Sequence, residues 1–124
     1  MILRGLALVA LLSCALQLHA APEERTGFNS IAAPFFKSNC VKCHGPEKAK
    51  GQVTLHDIDG DLAGERNLKR WELILDVLKA GEMPPEEAVN RPAKTEVAAV
   101  AQWIESELRK VVEQGREEVI APQV

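Results

Sequence analysis

The sequence Cys40-Val41-Lys42-Cys43-His44 sets two thiols three positions apart and places a histidine directly after the second. On one turn of backbone, two thiols at this spacing can reach the neighbouring vinyl groups of a haem and form thioethers, while the adjacent imidazole offers a nitrogen to the iron. This pattern is typical of covalent attachment of a c-type haem, with Cys40 and Cys43 as attachment residues and His44 as an axial ligand.

Two other kinds of site use the same cysteine spacing. A redox-active disulfide usually lies at the head of a helix after a strand, in a chain that alternates strands and helices, and no strand pattern precedes Cys40. A structural zinc ion needs four ligands, and residues 21–124 offer only Cys40, Cys43, His44 and His56 as thiols and imidazoles. Both remain alternatives, but the pattern favours a single covalent haem.

Met83 is the candidate for the second axial ligand of the haem iron. It follows Gly81, where a helical pattern ends, and precedes Pro84-Pro85, which cannot continue a helix. A short stiff loop of this kind can point a thioether toward a cofactor, whereas a methionine that fills a gap in the core usually lies on the apolar stripe of a helix. His56 is the competing donor, and an open sixth position is the third possibility.

The composition is that of one small globular domain. The chain has 124 residues, of which 46% are hydrophobic and 27% charged, with a formal net charge of -3. This acidic balance argues against nucleic-acid binding, which shows as a strongly basic face or domain. Four lysines nevertheless surround the cysteine-histidine sequence, namely Lys37, Lys42, Lys48 and Lys50. We expect them to dock an acidic redox partner.

Residues 1–20 have the pattern of a cleaved signal peptide. Arg4 precedes the almost wholly apolar run from Leu6 to Leu18, and Leu18-His19-Ala20 ends in the small residue typical of a cleavage site. The apolar run is shorter than the roughly 20 residues that cross the core of a bilayer. We therefore expect export to the periplasm, cleavage after Ala20 and no stable membrane insertion afterwards. Residues 21–27 are then a polar lead-in.

The pattern that follows is helical and predicts an all-α domain over residues 28–115. Three apolar stripes carry this prediction, and their members are Phe28, Ile31, Phe35 and Phe36; Leu68, Trp71, Ile74, Leu75 and Leu78; and Val97, Val100, Ala101, Ile104, Leu108, Val111 and Val112. Asn67 is the predicted N-cap of the second helix, which ends at Gly81. The third helix is predicted from Thr95 to Gly115, and residues 116–124 are predicted to form a flexible tail.

Aromatic residues make up only 4% of the chain, so the side chains that usually fill a core are scarce. A porphyrin among the three helices would make up for this shortage. We expect Trp71 and Trp103 to pack against that haem or against a neighbouring helix.

Sequence features on both sides of the cysteine-histidine sequence add to the pattern. They are Asn39 before it and Gly45 after it, then Gly51, Val53 and Leu55, then Trp71-Glu72-Leu73-Ile74-Leu75 leading to Gly81-Glu82-Met83-Pro84-Pro85, and finally Trp103-Ile104. Together these residues resemble the planctomycete-type cytochrome c domain, over about Phe28 to Leu108. The resemblance implies a class I cytochrome c fold, in which the helices pack around one haem bound through Cys40 and Cys43, with His44 and Met83 as axial ligands.

The predicted function is that of an exported monohaem cytochrome, an electron carrier and not an enzyme. It would transfer single electrons between periplasmic redox proteins or serve as the haem subunit of a larger oxidoreductase. The alternative is a haem enzyme or a gas-sensing module, which needs an open or displaceable sixth ligand. A thiol oxidoreductase that uses Cys40 and Cys43 is the remaining alternative.

Overall fold

The computed structural model describes residues 27–120, and these residues form an all-α fold. A π-helical turn, Phe28–Ala32, runs directly into helix α1, Ala33–Asn39; a 3₁₀ turn, Lys50–Gln52, follows, and then the long helices α2, Glu65–Lys79, and α3, Lys94–Ile120. No strand occurs among these residues, and one isolated β-bridge pairs His44 with Ala49. The predicted all-α class is confirmed.

The N-terminal prediction falls on a part of the chain that is not described. The signal peptide predicted over residues 1–20 lies outside the described residues, as does the lead-in up to residue 26. Between residues 27 and 120, no helix has the length and apolar character needed to cross a membrane.

The wide π-helical turn changes which side chains of the first helical segment face the core. The amide of Ala33 donates to the carbonyl oxygen of Phe28, five residues earlier, whereas α-helical bonds span four. Phe28 and Ala32 are buried, but Ile31 is 38% exposed. The prediction that Ile31 belongs to the apolar stripe is wrong, because the extra residue in the turn rotates it toward solvent.

Helix α2 begins earlier than the sequence pattern predicts. Its first residue is Glu65 and its cap residue is Gly64, whose carbonyl accepts the amide of Leu68 at 2.9 Å. Asn67 therefore lies inside the first turn, and its prediction as the N-cap is wrong. The carboxylate of Glu65 stabilises the first turn instead, by its favourable interaction with the helix dipole.

A Schellman motif closes the C-terminus of α2. The amide of Gly81 donates to the carbonyl of Leu78 at 3.2 Å and the amide of Glu82 donates to the carbonyl of Val77 at 3.0 Å, which is the paired bonding of this motif. Gly81 has a φ of +73°, a left-handed conformation that glycine adopts without steric cost. The predicted helix stop at Gly81 is confirmed, and the chain leaves α2 there toward Met83.

Helix α3 begins near the predicted residue but ends later. Glu96 caps its start, since its carboxylate accepts the amide of Ala93 at 2.8 Å while its own amide donates to the carbonyl of Ala93 at 3.0 Å. The predicted end at Gly115 is wrong, because the helix continues to Ile120, and residues 116–120 are therefore helix and not tail. A glycine costs a helix only about 1 kcal/mol relative to alanine, which the good helix formers around it outweigh.

All the aromatic residues of the chain belong to one connected cluster at the centre of the helices. The chain has three phenylalanines, two tryptophans and no tyrosine. The ring centroid of Trp71 lies 5.5 Å from that of Trp103, 5.8 Å from that of Phe36 and 6.3 Å from that of Phe28. Phe35 joins through Phe36 at 5.9 Å. The scarce aromatic side chains are thus concentrated where the helices meet.

The cluster also shows what the two tryptophans pack against. Trp71 is 1% exposed and Trp103 is 7% exposed, and their rings pack on each other and on phenylalanines of the π-helical turn and of α1. The predicted packing of the two tryptophans against neighbouring helices is confirmed. Cys40 is only partly buried and packs against this core from outside, so the attachment sequence lies beside the aromatic cluster.

Candidate haem attachment site

Cys40, Cys43 and His44 lie on one backbone turn that follows α1 directly. The carbonyl of Phe36 accepts the amides of Cys40 and Val41 at 2.9 and 3.0 Å, which extends the hydrogen bonding of α1 into the turn. The carbonyl of Cys40 then accepts the amides of Cys43 at 3.1 Å and of His44 at 2.9 Å. Both thiols are free, and all three residues are partly buried. The structure thus brings together the residues that the sequence pattern assigns to haem attachment.

Gly45 lets the chain turn back immediately after His44. It is buried, and a Cβ atom at this position would lie 2.4 Å from the carbonyl oxygen of Val41, which is far inside ordinary contact distance. Only a residue without a side chain fits there. The sequence alone shows Gly45 as a loop residue, because the contact with Val41 exists only once the turn has folded.

The segment that follows the turn fastens His44 from a second direction. The amide of Lys50 donates to the carbonyl of Cys43 at 3.0 Å, and the amide of Leu55 donates to the carbonyl of His44 at 2.7 Å. Ring nitrogen Nδ1 of His44 lies 3.3 Å from the carbonyl oxygen of Val53. Because a carbonyl oxygen only accepts, the proton of the neutral ring belongs on Nδ1, and this leaves the lone pair on Nε2.

These features fit a haem. An imidazole that donates through one nitrogen to a backbone carbonyl presents its other nitrogen to a metal in a fixed orientation and as a stronger base. The two free thiols on the same turn are the groups that thioether attachment requires. In the described part of the chain, no group of three or more His, Cys, Asp or Glu side chains is arranged to hold a metal ion.

The Cys40 thiol is protonated at neutral pH. Burial raises its pKa from an ordinary 9.0 to about 12, and the charge of the neighbouring Cys43 adds to the rise. Reactive cysteines of thiol oxidoreductases show the opposite shift, because the thiolate is the nucleophile. The environment of Cys40 therefore counts against the thiol oxidoreductase alternative.

Met83 lies on a different loop, just beyond the Schellman motif of α2. Its amide donates to the carbonyl of Val77 at 3.3 Å, and the next residue, Pro84, is buried. Met83 itself is 38% exposed, so it does not fill a gap in the core. The loop is therefore anchored on both sides of Met83, while the Met83 side chain remains accessible, as a ligand requires. The binding of its sulfur to iron stays a prediction.

Residues 40–87 match the family model described as Planctomycete cytochrome C. This match supports a planctomycete-type cytochrome c domain in this part of the chain. The family resemblance seen in the sequence is thereby confirmed, although the match is narrower than the predicted span of Phe28 to Leu108. No curated protein and no solved structure matches the chain. A cytochrome c domain implies covalently bound haem c, and the matched residues include Cys40, Cys43, His44 and Met83.

His56, the competing axial donor, lies on the surface of the cytochrome c domain. It is exposed and directly follows Leu55. The pKa of the adjacent Asp57 carboxyl is lowered, chiefly by a hydrogen bond from Arg70 and to a smaller degree by the charge of His56. The surroundings of His56 are therefore those of a surface residue.

Four lysines lie near the turn formed by residues 40–44, the attachment turn, and all of them are exposed. Lys37 is on α1, Lys42 is within the turn, and Lys48 and Lys50 are on the segment that follows it. Glu47 is the single acidic residue among residues 37–50. The surface around the turn is therefore locally basic on a chain whose formal net charge is -3.

Proposed function

We propose that this chain is an exported monohaem c-type cytochrome, which transfers single electrons between periplasmic redox partners or serves as the haem subunit of a larger oxidoreductase. Cys40 and Cys43 would bind one haem c through thioethers, and His44 and Met83 would be the axial ligands of its iron. When bound, haem supplies an iron that takes up and releases one electron.

The observation that carries this proposal is the way His44 is held. The carbonyl of Val53 accepts the Nδ1 proton and the amide of Leu55 bonds to the His44 carbonyl, so that Nε2 is left for a metal on the turn that also carries both thiols. A thiol oxidoreductase makes no use of an imidazole fixed in this manner. It requires an acidic thiol, whereas burial raises the pKa of Cys40 to about 12.

The anchoring of both donor residues favours a carrier over a haem enzyme or a gas sensor. Backbone hydrogen bonds hold His44 on one loop, and the Schellman motif at Gly81 together with the buried Pro84 holds Met83 on the other. Two fixed donors suit a centre that changes oxidation state with little rearrangement. An enzyme or a sensor needs a sixth position that is open or easily vacated.

The basic surface around the turn supports docking of an acidic redox protein. Lys37, Lys42, Lys48 and Lys50 are exposed beside the residues that would hold the haem, where charge complementarity raises the rate of encounter and orients the partner. The rate of electron transfer to such a partner should therefore fall as the ionic strength rises.

Mass measurement tests the attachment and the export together. The full chain is expressed with a haem attachment system, extracted with acid and organic solvent, and weighed intact. We expect the mass of the polypeptide that begins at Ala21 plus one haem. If the haem is extracted and the protein has the mass of the polypeptide alone, the proposal of covalent attachment is wrong. If the protein retains residues 1–20, the proposal of cleavage after Ala20 is wrong.

Carbon monoxide separates the carrier from the haem enzyme and the gas sensor. If Met83 occupies the sixth position, the ferrous protein should bind carbon monoxide slowly or not at all. Rapid binding of carbon monoxide by the unmodified ferrous protein would contradict the carrier function and would favour the haem enzyme or the gas sensor.

A further inference from the structure

Arg70 connects α2 to the residues that follow the 3₁₀ turn. Its guanidinium donates to the carbonyl oxygen of Thr54 and, at 2.8 Å, to Oδ1 of Asp57. The Arg70 side chain is 32% exposed, compared with 67% for Lys69, the preceding residue on the same helix. Arg70 is therefore drawn in against residues 53–57 and does not extend into solvent.

The segment bound by Arg70 is the one that holds His44. Val53 accepts the Nδ1 proton of His44, and Leu55 donates its amide to the His44 carbonyl at 2.7 Å. Thr54 lies between these two residues and gives its carbonyl to Arg70. Three consecutive residues thus link the imidazole on the attachment turn to a side chain of α2.

We propose that Arg70 is a positioning residue for His44, which holds residues 53–57 in place so that Val53 can orient the imidazole. The inference rests on the proposed function, because it concerns an axial ligand of the haem. Arginine suits this role, since one terminal nitrogen of its planar guanidinium donates to both acceptors at once and both bonds are charge assisted. An apolar side chain at this position leaves both acceptors to water.

Loss of Arg70 should act on the iron through the His44 ring. When residues 53–57 move away, the Nδ1 proton loses its acceptor and the Leu55 amide loses its partner. A metal-bound imidazole whose second nitrogen no longer donates to a carbonyl is a weaker base. The ferric state then loses more stabilisation than the ferrous state, and the reduction potential should rise.

The experiment compares Arg70→Met with Lys69→Met in the full, haem-loaded chain. Both variants remove one positive charge and one ion pair from adjacent positions of α2, but Lys69 pairs with Glu65 on its own helix at 2.7 Å. Solvent exchange of the His44 Nδ1 proton and of the Leu55 amide is measured by NMR on the diamagnetic ferrous protein. The amide of Leu75, a buried residue of α2, serves as the internal reference.

We expect both protons to exchange roughly fivefold faster in Arg70→Met, the factor that the loss of one hydrogen bond represents. The Leu75 amide should exchange at its original rate, the reduction potential should rise, and Lys69→Met should match the unmodified protein. Equal rates in the two variants, or an unchanged potential in Arg70→Met, would overturn the proposal. So would an equal acceleration at Leu75, because Arg70 would then stabilise the fold as a whole.

The failure of this inference can be told apart from failure of the proposed function. If the unmodified chain carries no covalent haem, the proposed function fails. The Leu55 amide then still reports, in the haem-free chains, whether Arg70 holds residues 53–57 against His44.

Discussion

Replacing Gly45 by alanine tests the close approach that allows the attachment turn to fold back. The added Cβ atom would lie 2.4 Å from the carbonyl oxygen of Val41 and 3.2 Å from one of its methyl carbons. A real Cβ atom essentially never comes within 3.0 Å of a heavy atom that is not its chain neighbour. The backbone therefore has to move by about 0.6 Å, the difference between 2.4 and 3.0 Å. Both neighbours belong to the turn itself, and the strain therefore falls on the attachment residues.

The hydrogen bonds of the turn leave little room for such a movement of the backbone. The bond from Nδ1 of His44 to the carbonyl of Val53 is already 3.3 Å long, slightly more than the usual upper limit of about 3.2 Å, and a contact of about 3.6 Å is no longer a hydrogen bond. The chain either gives up this bond or distorts the backbone around Gly45, and overpacking of this kind costs about 1–3 kcal/mol. We expect Gly45→Ala to lower the free energy of unfolding by that amount and to reduce the fraction of chains that carry haem.

Gly115→Ala is the matched control, because it adds the same atom where nothing lies within 4 Å. Gly115 lies inside α3, so alanine there should raise the free energy of unfolding by up to about 1 kcal/mol. Urea unfolding followed by far-ultraviolet circular dichroism gives both values, and the ratio of haem to protein absorbance gives the loading. A Gly45→Ala protein that is as stable and as fully loaded as the unmodified chain would contradict the contact with Val41.

Three further predictions concern other parts of the molecule. Met83→Ala should abolish the far-red sulfur-to-iron absorption band, lower the reduction potential and allow carbon monoxide to bind, because the thioether favours ferrous iron. His56→Ala should change none of these properties. If His56→Ala changes them and Met83→Ala does not, His56 is the ligand. Trp71→Ala should lower the free energy of unfolding by about 3–5 kcal/mol in urea titrations, since it removes the ring at the centre of the aromatic cluster, and a loss below about 1 kcal/mol would contradict that packing. Asp57→Asn should flatten the acid side of the stability profile. Since the hydrogen bond from Arg70 lowers the pKa of Asp57, its contribution is present above the ordinary aspartate pKa of about 3.9 and is lost as the pH falls through the lowered value. The two proteins should therefore converge in stability in acid, and parallel profiles would contradict this bond.

The sequence predicts those parts of the site that lie within a single turn. Cys40, Cys43 and His44 are close in space because they are close in the chain, and their spacing predicts haem attachment without any knowledge of the fold. The helix stop before Met83 is equally local, since Gly81 closes α2 with bonds to residues of its own last turn. Such features need no knowledge of how the helices pack.

The parts that the sequence does not predict depend on contacts between distant positions. Val53 is nine residues from His44, and Arg70 is sixteen residues from Thr54; no periodicity relates either pair. The core shows the same limit, because the composition counts the aromatic rings but does not show that all of them meet around Trp71.

Helix ends are a second kind of disagreement, and they arise from competition between neighbouring residues. Asn67 is a good N-cap by type, yet the carbonyl of Gly64 accepts the first helical bond and places Asn67 inside α2. Gly115 is a good helix stop by type, yet the chain continues as helix to Ile120. A residue type therefore fixes a helix end only when the bonds of a capping motif form around it, as they do at Gly81.

The attachment turn is joined to the aromatic core at two places, and this explains how His44, the proposed axial ligand, can be held firmly at the edge of the core. The ring of Phe36 packs on Trp71 with a centroid distance of 5.8 Å, while the carbonyl of Phe36 accepts two amides of the turn. Arg70 directly precedes Trp71 on α2 and bonds to the segment that holds His44. His44 can be displaced only if the turn loses its hydrogen bonds to Phe36 or residues 53–57 lose theirs to Arg70. Trp71, the most deeply buried ring of the cluster, holds both partners, because it packs on Phe36 and directly follows Arg70 in α2. The order of His44 therefore comes from hydrogen bonds to residues that the core holds, which is the arrangement that the proposed electron carrier requires for little rearrangement on electron transfer.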